Sequence, residues 1–123
     1  MNDSKKQIEN LLFNFYVKGH ELSDGELYRS ILHDDWQIFW MNQEGEIEST
    51  DKENYISWYK PENRNERLKW NAEILLLDIE ENLAIAKVKL FNQDFGYIDY
   101  FNLMKEKGKW QVINKISKSL YRK

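Results

Sequence analysis

The sequence predicts an α+β fold in which three helices pack on a curved, mainly antiparallel sheet. The first observation is a change in apolar spacing, from the 3.6-residue period of a helix near the N-terminus to a period of two from Leu68 onward. The second is the length, since 123 residues suit one hydrophobic core and a single domain over residues 1–123. The third is an aromatic content of 15%, which indicates either an aromatic core or an aromatic-lined pocket.

Three helices are predicted in the first half of the chain, each begun by a Ser or Thr followed three residues later by Glu or Gln. These pairs are Ser4 and Gln7, Ser23 and Glu26, and Thr50 and Glu53. The apolar residues of the first helix share one face: Ile8, Leu11, Leu12, Phe15 and Tyr16. We expect Gly19 to end the first helix, the second to end near His33, and the third to end before Pro61.

Strands are predicted wherever apolar and polar residues alternate. A strand over residues 36–41 and a short partner over 46–49 lie between the second and third helices. Four long strands follow in antiparallel order, over residues 68–76, 84–90, 95–105 and 110–118. Because a twisted sheet of long strands curls, its concave face is expected to wrap around the first helix and leave a cavity at one open end.

The turn of the last hairpin predicts a contact between two charged residues. The segment from Lys105 to Gly108 fits a type I turn with Gly108 in the left-handed position of a three-residue loop. Lys105 would then pair with Lys109, and the same register places Asp99 directly opposite Lys115. The turn therefore predicts an ion pair across two strands.

Composition and charge exclude several classes of function. With 18 Lys or Arg against 21 Asp or Glu, the net charge is −3, and no basic segment suggests a nucleic-acid partner. Cysteine is absent, which excludes disulfides, thiolate catalysis and cysteine-containing metal sites. No uninterrupted apolar run suggests a signal peptide or a membrane span, so we expect no membrane partner and a cytoplasmic location.

Motifs for metals and cofactors are also missing from the sequence. The two histidines, His20 and His33, lack the spacing of metal ligands, so no metal site is expected. Neither a phosphate-binding glycine loop nor a dinucleotide fingerprint occurs, so no cofactor is predicted.

Several segments resemble a known family. The stretches ILHDDW, STDKENYISW, LAIAKVKLF and FGYIDYFNLMKEKGKWQVINKI are similar to the "putative lumazine-binding" group within the nuclear transport factor 2-like superfamily. The most specific part is the C-terminal hairpin, in which one strand carries Asp99, Tyr100 and Leu103 and the next carries Gly108, Trp110, Val112 and Lys115.

The resemblance implies a cone-shaped, cystatin-like α+β fold with a pocket inside the cone. It also implies a homodimer formed through the outer face of the sheet. The superfamily includes ketosteroid isomerases, dehydratases, epoxide hydrolases and non-catalytic binding modules, so the fold alone selects no reaction.

Asp99 is the candidate for catalysis. A carboxylate in an apolar cavity could act as a general acid or base, or stay protonated and donate a hydrogen bond. The alternative is the structural ion pair with Lys115, which would keep both groups charged and inert. Both faces of the strand that holds Asp99 carry apolar residues, as either a dimer interface or a bulge would produce, so the face of Asp99 is left open.

A group of aromatic residues lies in the elements that would close the open end of the cone. These residues are Tyr16, Trp36, Trp40, Tyr55, Trp58 and Tyr59. They could stack on a flat ligand or simply fill the core. Asn114 and Lys115 are candidates for polar contacts with the same ligand.

The sequence thus supports three functional hypotheses. The first is a non-catalytic homodimer that binds an unidentified small apolar or aromatic ligand. The second is an enzyme of the isomerase or dehydratase type that uses Asp99 as its acid–base residue. The third is a protein-interaction module that uses the convex face of the sheet only for pairing.

Overall fold

Helices cover one face of a six-stranded sheet in the computed structural model, which describes residues 3–121. The helical segments are α1 (Asp3–Leu11), a π-helical segment (Leu12–Val17), α2 (Lys18–Leu22), α3 (Glu26–Arg29), α4 (Lys52–Ser57) and a short 3₁₀ helix (Pro61–Asn63). The strands are β1 (Leu32–Met41), β2 (Ile47–Asp51), β3 (Asn71–Glu80), β4 (Leu83–Phe91), β5 (Phe95–Glu106) and β6 (Lys109–Tyr121). Their order in the sheet is β2-β1-β6-β5-β4-β3, with β1 and β6 parallel and the other neighbours antiparallel. The predicted α+β class with a mainly antiparallel sheet is confirmed.

The N-terminal helical region buries the predicted apolar face. Four of its five predicted residues are buried and the fifth, Phe15, packs half-buried against the same core. That core also contains the inward side chains of β4 and β5, which alternate with exposed ones as expected for a sheet covered on one side. Within residues 3–121, no helix is long and apolar enough to span a bilayer.

Gly19 does not end the first helix, so that prediction is wrong. The helix continues through α2 and ends at Ser23, whose φ of 50° is left-handed. A Cβ on Gly19 would lie 2.2 Å from Cε1 of Tyr28, so this glycine allows close packing against a buried tyrosine. A glycine is required at this position because a larger residue would clash with Tyr28, and not because the helix ends here.

The other predicted helix boundaries shift by a few residues. Ser23 belongs to the end of α2, and the Asp24 carboxylate accepts the Glu26 backbone N–H at 3.1 Å. The cap of α4 is Asp51 rather than Thr50. His33 lies in β1 rather than at a helix end, because this strand begins at Leu32.

A bulge changes which leucine of β3 faces the core. The pairing of β3 with β4 shifts between Ile74 and Leu76. Leu76, which regular alternation from Ile74 would place on the core side, is therefore 50% exposed, and Leu77 packs against the core instead. A bulge inserts one unpaired residue and so reverses the alternation beyond it.

Gly25 packs the start of α3 against the end of α4, and its replacement by Ala should be destabilising. The Gly25 N–H donates to the Tyr59 carbonyl at 2.9 Å, and a Cβ on Gly25 would lie 2.2 Å from the Ile56 carbonyl oxygen. Since backbone cannot move aside as a flexible side chain can, Gly25→Ala should lower the free energy of unfolding by about 1–3 kcal/mol in urea titrations. Gly108→Asn is the control, because nothing lies within 4 Å of its added Cβ and Asn tolerates positive φ. Equal losses in both variants would contradict the steric explanation.

Candidate functional site

The β5–β6 hairpin determines which side chains face the helices. Lys107 and Gly108 both have positive φ, 51° and 79°, and form a two-residue turn. Glu106 therefore pairs with Lys109, whereas the sequence predicted Lys105 as its partner. The turn shifts the register by one residue from the prediction.

A bulge on β6 adds a second shift of one residue. The pairing changes between Asn102 and Leu103, so Asp99 lies opposite Ser117 and the predicted direct pairing with Lys115 is wrong. Because a shift of two residues preserves the face of a strand, Asp99 and Lys115 both still point toward the helices. Their Oδ2 and Nζ atoms are 3.9 Å apart, which is a diagonal ion pair. The face of Asp99, which the sequence left open, is the inner one.

A cavity of about 990 Å³ opens between the helices and the β1–β6 part of the sheet. This volume is at the upper end of the roughly 300–1,000 Å³ found for small-molecule sites. Seven Phe, Tyr and Trp residues line it: Tyr16, Phe39, Trp40, Tyr55, Trp58, Tyr59 and Tyr97. Four apolar residues that line it are strongly exposed, namely Met41 at 61%, Ile47 at 71%, Trp58 at 47% and Ile116 at 54%.

Lys115 is the buried lysine of this aromatic cavity, and the second lysine that lines it, Lys118, is exposed. The Nζ atom of Lys115 donates to the hydroxyl oxygens of Tyr16 at 2.8 Å and of Tyr55 at 3.1 Å. The ammonium also lies over the rings of Tyr16 and Tyr55, 4.6 Å and 4.9 Å from their centroids. The Tyr16 hydroxyl in turn donates to Oδ2 of Asp99. An acid and a base are thus joined through one phenol.

Further tyrosines connect this group to His20. The rings of Tyr55 and Tyr59 pack with their centroids 5.1 Å apart, and the Tyr59 oxygen lies 3.3 Å from Nε2 of His20. The other ring nitrogen of His20 lies 2.6 Å from the Tyr28 oxygen. The network therefore runs from the Asp99–Lys115 pair across the inner wall of the cavity.

Burial alters the acid–base properties of this network. It lowers the pKa of His20 to about 3, with the positive charge of Lys115 adding to the effect. Burial also lowers the pKa of Lys115, and the Asp99 carboxylate opposes that change. The pKa of Tyr16 is raised well above its ordinary value by burial and by the adjacent Asp99. His20 is consequently neutral at physiological pH.

Six of the nine residues selected from the sequence line the cavity. They are Tyr16, Trp40, Tyr55, Trp58, Tyr59 and Lys115. Trp36 lies in the core behind it, 1% exposed, with its ring 4.8 Å from that of Tyr55. Asn114 accepts a hydrogen bond from Asn102 away from the cavity, and Asp99 is fully buried behind Tyr16.

His20 and Tyr97 are among the cavity residues that were not selected from the sequence. His20 follows Tyr16 by four residues, so helical spacing could have placed both on one face had Gly19 not been taken as the helix end. Tyr97 shares its side of β5 with Asp99, but this was informative only once the inner face was known. The π-helical segment that contains Tyr16 has no sequence signal that we recognise, although such segments are frequent at functional sites.

Among residues 3–121, no cluster of three or more His, Cys, Asp or Glu side chains has the arrangement of a metal site. The polar groups that line the cavity are instead two lysine side chains, hydroxyls, amides and one neutral imidazole. These groups suit hydrogen bonding to an organic ligand.

Comparisons with solved structures identify the fold. The chain is similar to an NTF2-like protein of unknown function from Shewanella baltica OS155, with 21% identity over 97% of this chain and 95% of that one and a TM-score of 0.84. A second such protein, from Methylobacillus flagellatus KT, is 26% identical over 94% of this chain and 90% of that one, with a TM-score of 0.79. A domain of unknown function with a cystatin-like fold from Nostoc punctiforme PCC 73102 is 9% identical over 94% of this chain and 76% of that one, with a TM-score of 0.71. The fold is NTF2-like.

The family follows from the sequence match. No curated protein matches the chain. The family model described as "Putative lumazine-binding" matches residues 3–117, which is nearly the whole chain. The chain therefore belongs to the "Putative lumazine-binding" family.

Proposed function

We propose that this protein binds a flat, largely apolar small molecule that carries one hydrogen-bond acceptor, and that it does so as a homodimer. The observation that carries the proposal is Lys115, a buried ammonium in a cavity otherwise lined mainly by aromatic rings. Pockets of this kind hold an apolar body by burial and fix its orientation with a few polar groups.

The hydrogen bonds of Lys115 leave room for a ligand. An ammonium has three N–H donors, and two of them are directed at the hydroxyls of Tyr16 and Tyr55. The carboxylate of Asp99, 3.9 Å away, is beyond hydrogen-bond distance. The third donor is thus available to a carbonyl or carboxylate oxygen, while the rings of Trp40 and Tyr59 provide stacking surfaces.

Tryptophan fluorescence provides the test of ligand binding. We expect a panel of pterins, flavins and aromatic acids to contain a ligand that quenches the fluorescence and raises Tm. At one hundred times its Kd, such a ligand should raise the free energy of unfolding by about 2.7 kcal/mol. Trp40→Ala should weaken binding about 10-fold, since a lost aromatic contact is worth up to about 1.5 kcal/mol. Trp110→Phe is the control, because Trp110 is buried outside the cavity. A panel without any quenching or shift would overturn the proposal.

The dimer is proposed from the outer face of the sheet. Large apolar side chains are exposed there on three neighbouring strands: Leu83, Ile85, Tyr100, Met104 and Ile116, each 45–54% exposed. A group of exposed apolar side chains on one sheet face is typical of a protein interface.

Ile85→Glu should convert the dimer to a monomer, because it places a charge where apolar side chains would pair and Ile85 does not line the cavity. Light scattering after size-exclusion chromatography measures the mass directly. Phe13→Glu is the control, since Phe13 is 37% exposed on the helical side. A wild-type protein that is monomeric at micromolar concentration would contradict the dimer. A dimer that binds none of the ligand panel would favour the interaction module.

An acid–base enzyme is the second candidate, favoured by the hydrogen bond from Tyr16 to Asp99. Asp99 does not line the cavity, so it would act through the Tyr16 hydroxyl on a substrate such as an enolisable ketone. Deuterium uptake from D₂O into a bound ketone, lost in Tyr16→Phe, would support this reaction. A Tyr16→Phe protein with undiminished uptake would rule out the route through Asp99.

A further inference from the structure

Lys115 has the surroundings of a reactive amine. Its side chain is only 3% exposed, yet it lines a cavity large enough for a small molecule. Its hydrogen-bond acceptors are two phenol oxygens, and its carboxylate partner contacts it only at 3.9 Å. A buried ammonium without a directly hydrogen-bonded carboxylate loses its proton more easily than an exposed one, and the lowered pKa of Lys115 agrees with this.

The hydrogen-bond geometry also provides a path for that proton. Lys115 donates to the oxygen of Tyr16, and Tyr16 donates to Oδ2 of Asp99. A proton passed from the ammonium to Tyr16, with the phenol proton passed to Asp99, leaves a neutral amine, an intact phenol and a carboxylic acid. Oδ1 of Asp99 is buried without a hydrogen-bond partner, so this oxygen is free to accept a proton.

We propose that Lys115 binds aromatic aldehydes and ketones covalently, as an imine inside the cavity. The inference rests on the proposed function, because it uses the same cavity and names the class of ligand. The carbonyl oxygen would occupy the place of the acceptor, and the aromatic part would lie among the rings of Trp40 and Tyr59.

The reaction balances without an oxidant or a further reactant. The nitrogen lone pair forms a bond to the carbonyl carbon, and the π electrons of the C=O bond move to oxygen. Two of the three ammonium protons pass through Tyr16 and Asp99 to that oxygen, the C–O bond breaks, and water leaves. The product is a protonated imine, and Asp99 ends as the carboxylate.

Reductive trapping tests the proposal. The protein is incubated with benzaldehyde and sodium cyanoborohydride, and the benzyl adduct is located by peptide mass spectrometry. Lys115 should be labelled at least about 10-fold faster than Lys109, an exposed lysine of the same strand that does not line the cavity, because the cavity holds the aldehyde beside an amine that loses its proton more easily. Lys115→Arg should abolish the fast labelling, and Lys109→Arg should leave it unchanged. If Lys115→Arg fails to fold, the adduct map of the wild-type protein still decides.

Tyr16→Phe separates reactivity from simple access to the cavity. It removes the proton path and should slow labelling of Lys115 by about 100-fold, the lower end of the usual contribution of general acid–base catalysis. Unchanged labelling in Tyr16→Phe, or labelling spread evenly over surface lysines, would overturn the proposal.

Benzyl alcohol, which has no carbonyl group, distinguishes this proposal from the proposed function. Its binding is followed by tryptophan fluorescence. If benzyl alcohol binds and benzaldehyde forms no adduct at Lys115, the imine proposal fails and the binding function stands. If neither compound binds, the result counts against both.

Discussion

Replacing Lys115 with Met should lower the free energy of unfolding by about 3–5 kcal/mol, measured in urea at neutral pH. The substitution leaves the Asp99 carboxylate fully buried with no charged partner, since Lys115 is the cation with which it is paired. The methionine fills most of the space of the lysine side chain, so the loss reports the charge rather than a cavity. The tyrosine hydroxyls at 2.8 Å and 3.1 Å also lose their common donor.

Two further variants isolate the electrostatic contribution. Lys118→Met removes an exposed lysine of the same strand and should cost less than about 0.5 kcal/mol. The double variant Asp99→Asn with Lys115→Met removes both charges and should recover at least half of the loss, because an apolar or neutral pair of similar size replaces a buried ion pair at little cost. A double variant as unstable as Lys115→Met alone would show that packing, not the unpaired charge, explains the effect.

The prediction of the Asp99–Lys115 contact shows what the sequence determines about a sheet. The two shifts, one from the turn at Lys107 and Gly108 and one from the bulge on β6, add to two residues. Since side chains alternate with a period of two, the inner face was preserved although the paired residues were not. A single shift would have separated Asp99 and Lys115 onto opposite faces. Local alternation of apolar and polar residues therefore predicts which segments form strands and which side of the sheet each side chain faces. The pairing register depends on the turn type and on bulges.

The elements of the site that sequence reasoning missed depend on long-range packing. Trp36 and Trp40 are on the same face of β1, yet only Trp40 lines the cavity, because Trp36 is covered by α4 through Tyr55. Similarly, Gly19 meets the ring of Tyr28 from a separate helix. Local propensity carries no information on which inward side chain meets a neighbour and which meets empty space.

His20 should make the protein increasingly sensitive to acid below about pH 6.5. Its pKa is about 3 in the folded protein and 6.5 when exposed, so between these values the unfolded chain binds a proton that the folded protein does not. Stability from this residue is therefore fully present above about pH 6.5 and is lost as pH falls toward 3. The free energy of unfolding should fall by about 1.4 kcal/mol for each pH unit below about 6.5, and the full loss approaches about 5 kcal/mol.

Comparing the wild-type protein with His20→Gln separates this contribution from those of the carboxylates, which both proteins share. At pH 7 the variant should be less stable, because glutamine loses the contacts of the imidazole with the rings of Tyr59 and Trp70, whose centroids lie 4.9 Å and 5.1 Å away. The difference in the free energy of unfolding between the two proteins should decrease by about 1.4 kcal/mol per pH unit as the pH is lowered from about 6.5. Only the wild-type protein must keep a buried imidazole neutral. Imidazole proton shifts in NMR spectra, assigned with a His33→Gln variant, should show His20 still neutral at pH 4. A difference in the free energy of unfolding that stays constant with pH, or a His20 imidazole that titrates near pH 6.5, would contradict this prediction. Either result would mean that this part of the network is open to solvent.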